Sequence, residues 1–185
     1  MRHRRLPFGL PLIAALLAAC NNTTGLLPPN FENVVDTISL FALDGTPVSA
    51  PSGYVIQTKE VVRTDQRSDI DFAFNITPAG QAVLLPTGAL GLGQLSGIQV
   101  QHMPFDAIAT AANGQYVDTL PVAIDSGSVV VVHSRPIGSC VVGIVFLYGK
   151  FEVLAIDPIA RRVDLRVLVD QNCGYRGLEP GLPSR

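Results

Sequence analysis

The chain has 185 residues, a formal net charge of -2, and 48% hydrophobic against 15% charged residues. This length is sufficient for one domain with a substantial core, and the hydrophobic content excludes an intrinsically disordered chain. The 13 basic residues are outnumbered by 15 acidic ones, so the sequence has no basic footprint for nucleic acid and predicts none as a partner.

The N-terminus has the pattern of an export signal that ends at Cys20. A basic segment at residues 2–5 precedes an uncharged, mostly apolar stretch from Leu6 to Ala19. This stretch is too short to cross roughly 30 Å of hydrocarbon as a helix. The tetrapeptide Leu17-Ala18-Ala19-Cys20 resembles the lipobox of bacterial lipoproteins. We therefore predict a lipoprotein signal peptide over residues 1–19 and lipidation at Cys20; the alternative is an ordinary cleaved signal with an incidental cysteine.

Lipidation at Cys20 would make the membrane the first predicted partner. Each buried methylene of a fatty acyl chain such as palmitate contributes about 0.8 kcal/mol, so two or three chains anchor a protein durably. Asn21 stands where aspartate would favour inner-membrane retention, which makes the outer membrane the favoured location in the cell envelope. Residues 20–30 are polar and then proline-bearing, and they are predicted to form a flexible tether.

Beyond the tether, short apolar runs alternate with turn signals, which is typical of an all-β sandwich or barrel. The predicted strands are Val34–Leu43, Tyr54–Val62, Asp69–Ile76, Ala82–Leu85, Ile98–Met103, Gly127–His133, Val141–Tyr148, Phe151–Ile156 and Val163–Val169. One helix is predicted, over Phe105–Ala112. We expect an all-β fold, an antiparallel β-sandwich of about 8–10 short strands with at most one short helix. It would span residues 31–175, and residues 176–185 would form a C-terminal tail.

The clearest alternation of apolar and polar residues lies in Asp69–Ile76. Its even-numbered residues are predicted to face the core, and its odd-numbered residues, including Asp69 and Asp71, to face solvent. Together with Asp65 these carboxylates could hold calcium. The glycine turn of a calcium loop is missing, however, so a solvated edge with arginine counter-charges is the preferred interpretation.

Two cysteines, Cys140 and Cys173, remain once Cys20 is assigned to lipid. In an exported protein an even number of cysteines suggests a disulfide. A bridge across 33 residues would stabilise the fold by about 3–4 kcal/mol in the loop-closure model; the alternative is two free buried thiols. Neither cysteine lies in a Cys-x-x-Cys motif, so neither redox catalysis nor zinc binding is predicted.

The two histidines that remain after cleavage, His102 and His133, are candidate ligands. Both are predicted on apolar strand faces, His102 beside Ile98 and Val100 and His133 beside Val129 and Val131. An imidazole on such a face needs a partner, which could be a metal, a haem iron or a backbone carbonyl. Two unrelated, hydrogen-bonded histidines are the preferred interpretation.

Three stretches share a pattern with a known family: the aspartate-rich strand Ser68–Phe74, the segment Tyr148–Val153 and the closing strand Val163–Val169. They resemble the haem-binding envelope lipoproteins of the HmuY type over about residues 54–170. The resemblance implies an all-β sandwich and haem held between two histidines, with His102 in the region of one ligand. His133 lies in a later strand than the second ligand of the family.

No Gly-x-Ser-x-Gly motif is present, and nothing in the sequence orders a serine, a histidine and an acid into a catalytic set. The sequence thus predicts a lipid-anchored, non-catalytic protein of the cell envelope, without a cofactor, that binds a small ligand or another envelope protein. The alternative is a haem- or metal-binding lipoprotein that uses His102 and His133.

Overall fold

The computed structural model describes residues 26–140 and 143–183, so Cys20 and the predicted signal peptide lie outside the described residues. The described part contains ten strands in two antiparallel sheets of five strands each. This confirms the predicted all-β fold and is consistent with a β-sandwich. Within 26–140 and 143–183, no helix has the length and apolar character needed to cross a bilayer.

The first sheet has the strand order β1-β10-β9-β8-β6 and the second has the order β3-β2-β4-β5-β7. In chain order the strands are β1 Val35–Phe41, β2 Gly53–Val55, β3 Glu60–Val62, β4 Phe72–Ile76, β5 Ala82–Pro86, β6 Gly97–Gln101, β7 Val122–Ala123, β8 Val129–His133, β9 Tyr148–Asp157 and β10 Arg162–Asp170. The one 3₁₀ turn of the described residues, Phe105–Ala107, precedes β7.

The hairpin of β9 and β10 forms the centre of the first sheet, and its strands were predicted from their apolar runs. Its register runs from Asp157 opposite Arg162 to Tyr148 opposite Asp170. The Asp157 carboxylate accepts the backbone N–H groups of Ile159 and Ala160 and so closes the turn. This local hydrogen bonding explains why β9 ends and β10 begins within one residue of the predicted bounds, whereas β9 starts at Tyr148, before its predicted start at Phe151.

An aromatic cluster fills the space between the two sheets. Tyr54 and Phe72 come from the second sheet and Phe151 from the first, and their ring centroids lie 5.0–5.6 Å apart. All three side chains are buried. Each contributes roughly 2–3 kcal/mol through burial of its apolar surface, so this cluster is a principal contact between the sheets.

A second apolar cluster covers the outer face of the first sheet. Val129, Val131 and Leu168 point outward from the sheet and are covered by Phe105 and by residues of the segment 108–111 and the tail. We call residues 104–111 the strap. The strap and the C-terminal tail are joined by backbone hydrogen bonds, from Ala111 N to Arg176 O and from Leu178 N to Ala109 O.

Several element predictions were wrong. The run Tyr54–Val62 is a hairpin of two strands, because Lys59 adopts a left-handed conformation (φ 57°) and turns the chain. Phe105–Ala112 forms only a 3₁₀ turn at its start, since the backbone beyond Ile108 is hydrogen-bonded to the tail. In the described part of Val141–Tyr148, residues 143–147 form no strand, and strand β7 was not predicted at all.

The prediction that the odd-numbered residues of β4 face solvent is also wrong. Asp71 and Ala73 are both buried. β4 is an inner strand, and Ala73 belongs to an apolar cluster with Val55, Val62 and Ile70 on the outer side of the second sheet. Ile70 packs on this outer side, whereas Phe72 packs between the sheets. Asp69 remains part-exposed and pairs with Arg67 through two hydrogen bonds of 2.6 Å each.

The sandwich has two ends, which differ in the turns and segments that they carry. β1 runs from Val35, opposite Leu168, to Phe41, opposite Arg162. We call the end near Leu168 the disulfide end; it comprises residues 26–33, 56–59, 134–140, 143–147 and 170–182. We call the opposite end, with turns at residues 43–46, 77–81 and 157–161, the hairpin end.

Candidate functional site at the disulfide end

Cys140 and Cys173 form a disulfide, as predicted, with their Cα atoms 5.8 Å apart. Cys140 lies in the loop after β8 and Cys173 lies three residues after β10 ends. The bridge therefore joins the connection between β8 and β9 to the segment that follows β10, at the same end of the sandwich. Cys140 is buried and Cys173 is half-buried.

Residues 27–31, close to the start of the described chain, lie beside this disulfide. Tyr175 Oη donates to Leu27 O at 2.8 Å. The backbone N–H groups of Asn30 and Phe31 donate to Asn172 Oδ1 at 2.7 and 3.0 Å, and Asn172 Nδ2 donates to Phe31 O at 2.8 Å. Residues 27–30, which the sequence assigned to the tether, are thus hydrogen-bonded to the domain.

The C-terminal tail is fastened at the same place by Asn33. The backbone N–H of Asn33 donates to Gly181 O at 2.8 Å, and that of Gly181 donates to Asn33 O at 2.9 Å. The buried Asn33 side chain donates to Gly177 O and Glu179 O. Residues 177–181 of the predicted tail are therefore fixed against residues 26–34, which we call the incoming segment.

Two small adjoining cavities of about 150 and 220 Å³ lie between the incoming segment and the disulfide. They share four lining residues: Phe31, Ser139, Gln171 and Cys173. Leu27, Pro28 and Tyr175 give the first cavity a mainly apolar wall. Each is smaller than the clefts that typically enclose a drug-sized ligand.

Asp170 is a buried acid beside the cavities. One carboxylate oxygen accepts hydrogen bonds from the backbone and side-chain nitrogens of Asn172 at 2.9 and 2.8 Å. The other oxygen is buried without a hydrogen-bond partner. Burial raises the pKa of Asp170 above its ordinary value, and the hydrogen bonds from Asn172 and the charge of Lys59 oppose this rise.

His133 lies at the disulfide end and packs between aromatic side chains. Its ring centroid is 4.7 Å from the rings of Tyr116 and Phe146, and Nδ1 lies 2.9 Å from Ser134 O. Burial lowers the pKa of His133, so the neutral ring donates from Nδ1 to that carbonyl. A Cβ on the facing Gly97 would lie 2.6 Å from His133 Nε2. The His133 ring is therefore hydrogen-bonded to the backbone and packed closely against its neighbours.

His102 lies towards the other end of the sandwich. Gly97 pairs with His133, Gln101 pairs with Val129, and His102 comes directly after Gln101. At about 3.3 Å per residue this register separates the two histidines by roughly 16 Å along the strands. His102 is also exposed, not on an apolar face as expected. Two imidazoles so far apart cannot bind one iron at bonds of about 2 Å.

Within the described residues, no cluster of three or more histidines, cysteines or acids is arranged to hold a metal ion. The possible calcium ligands Asp65 and Asp69 instead pair with Arg63 and Arg67. Asp71 is buried apart from them. The structure thus places these three carboxylates in separate interactions.

Sequence reasoning assigned Asp71 the wrong environment. Its carboxylate accepts the backbone N–H groups of Ile56 and Arg135, each at 2.7 Å. The Arg135 guanidinium lies 3.4 Å away. Burial raises the pKa of Asp71, and these contacts counteract the rise. An acid between Ile70 and Phe72 is a signal for such a buried carboxylate, but its donors lie far away in sequence.

Lys150 is a buried cation that sequence reasoning did not single out. Its ammonium donates to the carbonyl oxygens of Phe105 and Ile108 at 2.8 and 3.0 Å and lies 4.4 Å from the Phe105 ring centroid. Arg166 also contacts this ring, at 4.2 Å, and pairs with Asp106. Lys150 therefore holds the strap on the first sheet, and burial lowers the pKa of its ammonium.

Comparisons with known proteins add no family to this description. No protein-family model matches the chain, and no curated protein matches it. The resemblance to HmuY-type lipoproteins accordingly stays an expectation from the sequence, and the separation of His102 from His133 removes the paired ligands on which its haem function depends.

Proposed function

We propose that this protein is a lipid-anchored, non-catalytic protein of the cell envelope, held in the outer membrane through acylated Cys20, whose β-sandwich binds another envelope component. The observation that carries the proposal is the course of residues 27–33, which are hydrogen-bonded along the disulfide end. The anchor would therefore hold the domain by one defined end.

The disulfide supports a location outside the cytoplasm. Disulfides persist in oxidising compartments and are rare where thiols are kept reduced. The bridge between Cys140 and Cys173 closes a 33-residue segment of the chain. An exported, anchored protein is the setting in which such a bridge contributes to stability.

The use of the buried polar side chains supports a non-catalytic role. Asp71, Lys150 and Asn172 all direct their hydrogen bonds to backbone groups of distant segments. Such contacts fasten loops and satisfy backbone atoms that would otherwise be unpaired. The hydrogen bonds of these three side chains thus stabilise the fold.

The hairpin end is the surface that an anchored domain would present to a partner. Ile159 and Val48 are 94% and 70% exposed there. Arg161 closes the neighbouring turns by donating to Asp44 O and Ile76 O. Exposed apolar side chains on hydrogen-bonded turns suit contact with another envelope protein or a small ligand.

Metabolic labelling tests the proposal. The full chain would be expressed in a bacterial host supplied with an alkyne analogue of palmitate, next to Cys20→Ala, which keeps the other two cysteines. We expect label in the membrane fraction of the wild type and none in the variant. Equal labelling of both chains, or mass spectrometry showing a mature N-terminus with an unmodified Cys20, would refute the proposal.

A further inference from the structure

The length of chain between the anchor and the domain restricts where the domain can lie. The backbone is hydrogen-bonded to the domain from Leu27 onward. Between Cys20 and Leu26 the chain can span at most about 22 Å when fully extended. An acylated Cys20 would therefore hold the disulfide end within about that distance of the lipid head groups.

The surface next to this attachment carries exposed, large apolar side chains. Leu27, Phe31 and Val34 on the incoming segment are 58%, 54% and 60% exposed, and Leu182 on the tail is 57% exposed. The incoming segment and the tail meet at the backbone hydrogen bonds of Asn33 with Gly181. We call these four side chains the apolar rim.

The charged side chains within the two segments that carry the apolar rim, residues 26–34 and 177–182, favour one kind of lipid surface. Glu32 lies within the incoming segment and Glu179 in the tail, and both are exposed. Carboxylates at a membrane contact are repelled by anionic head groups and tolerated by zwitterionic ones.

We infer that the apolar rim docks on the surface of a zwitterionic bilayer, an inference that rests on the proposed acylation of Cys20. Leu27, Phe31, Val34 and Leu182 enter the boundary between head groups and acyl chains, where apolar side chains bind favourably. Because the anchor keeps the rim close to the bilayer, docking is intramolecular and a small apolar surface suffices. The disulfide end then lies on the membrane and the hairpin end points away from it.

The absence of tryptophan from the sequence makes a clean test available. Phe31→Trp places a single indole in the apolar rim, and the matched control Ile159→Trp places one in the exposed turn of the hairpin end. Each full-length variant is purified from membranes in its acylated form, which mass spectrometry verifies. Each is then reconstituted in phosphatidylcholine vesicles with and without bromine on the acyl chains. Brominated lipid quenches an indole only on contact.

We expect brominated lipid to reduce the fluorescence of the Phe31→Trp protein roughly two-fold or more and to leave that of the Ile159→Trp protein unchanged. Adding Leu27→Ser and Leu182→Ser to the Phe31→Trp chain should reduce the quenching, whereas adding Val48→Ser should not.

The outcomes separate the docking from the anchor. An acylated Phe31→Trp protein that brominated lipid does not quench overturns the docking and leaves the lipid anchor standing. The same result with chemical cross-links between two copies at the rim assigns the surface to a second protein molecule. Equal quenching at positions 31 and 159 also overturns the docking, because the domain would then contact the bilayer equally with the disulfide end and the hairpin end. A chain that carries no lipid at Cys20 overturns the proposed function and the docking with it.

Discussion

The carboxylate of Asp71 accepts the backbone N–H of Arg135 at 2.7 Å, although Asp71 precedes β4 of the second sheet and Arg135 follows β8 of the first. Its other oxygen accepts the N–H of Ile56 from the β2–β3 turn. One buried side chain therefore joins three segments that are distant in sequence. This relationship ties the two sheets together close to the disulfide end.

Asp71→Asn should destabilise the protein by about 2–3 kcal/mol, because the new amide offers one acceptor and one N–H₂ group where the carboxylate offered two acceptors. One of the backbone N–H groups, of Ile56 or Arg135, would then be buried without a partner. Urea unfolding of the purified variant measures the change in the free energy of unfolding.

Asp69→Asn is the matched control for Asp71→Asn. Asp69 pairs with Arg67 at the surface, and an exposed ion pair contributes less than about 1 kcal/mol. A loss for Asp71→Asn no larger than that for Asp69→Asn would show that the buried carboxylate does not join the sheets.

The two lysines of the chain should differ in their reaction with acetic anhydride. Lys59 is part-exposed, whereas Lys150 is buried beneath the strap. Peptide mass spectrometry of the folded protein should show Lys150 acetylated roughly tenfold or more slowly than Lys59, because its reaction requires the strap to open. In urea above the unfolding midpoint the two rates should converge. Equal rates in the folded protein would contradict the position of Lys150.

Asp170 should make the protein less stable as the pH rises from acidic to neutral values. Burial raises the pKa of Asp170 in the folded protein above the 3.8 of an ordinary aspartate. Between pH 3.8 and the folded pKa, the folded state binds more protons than the unfolded state. The free energy of unfolding therefore decreases as the pH rises through this window.

Asp170→Asn removes this titration, so the free energy of unfolding of the variant should vary less with pH across the same window. Asp71, whose pKa is raised as well, keeps part of the dependence. Urea unfolding at a series of pH values measures both chains, with Asp125→Asn at an exposed position as control. A variant curve parallel to that of the wild type would contradict the assignment.

Removal of the disulfide through the double variant Cys140→Ala/Cys173→Ala should destabilise the fold by about 3–4 kcal/mol, because the unfolded chain regains the freedom of the closed segment. Chemical unfolding with and without a reductant measures this effect. Reduced wild type should unfold at nearly the same urea concentration as the double variant. Equal stability of the double variant and the oxidised wild type would contradict the loop-closure argument.

The strands that the sequence predicted best are those whose pairing is local. β9 and β10 are neighbours in sequence, and Asp157 closes their turn with its own side chain. The hairpin of β2 and β3 was missed because its turn uses Lys59 in a left-handed conformation, a position where glycine or asparagine is the usual signal. Local patterns thus predict a turn only when the turn residue itself carries the signal.

The candidate site was predictable only in part, for a related reason. The pairing of Cys140 with Cys173 follows from counting cysteines, and no other pairing was available once Cys20 was set aside. The environments of Asp71 and Lys150 depend on backbone groups 64 and 45 residues away. Likewise, the separation of His102 from His133 follows from the register of β6 on β8, which alternation within one strand does not fix.

The hydrogen bonds of Asn33 with Gly181 bring the beginning and the end of the described domain side by side. A short peptide linker would join these two points, and new termini could open in the turn at residues 157–161 without breaking a strand pair. Such a circular permutant would keep both sheets and carry its attachment sequence at the hairpin end. Fused to the same anchor, it would stand inverted on the membrane, with the disulfide end facing the solvent.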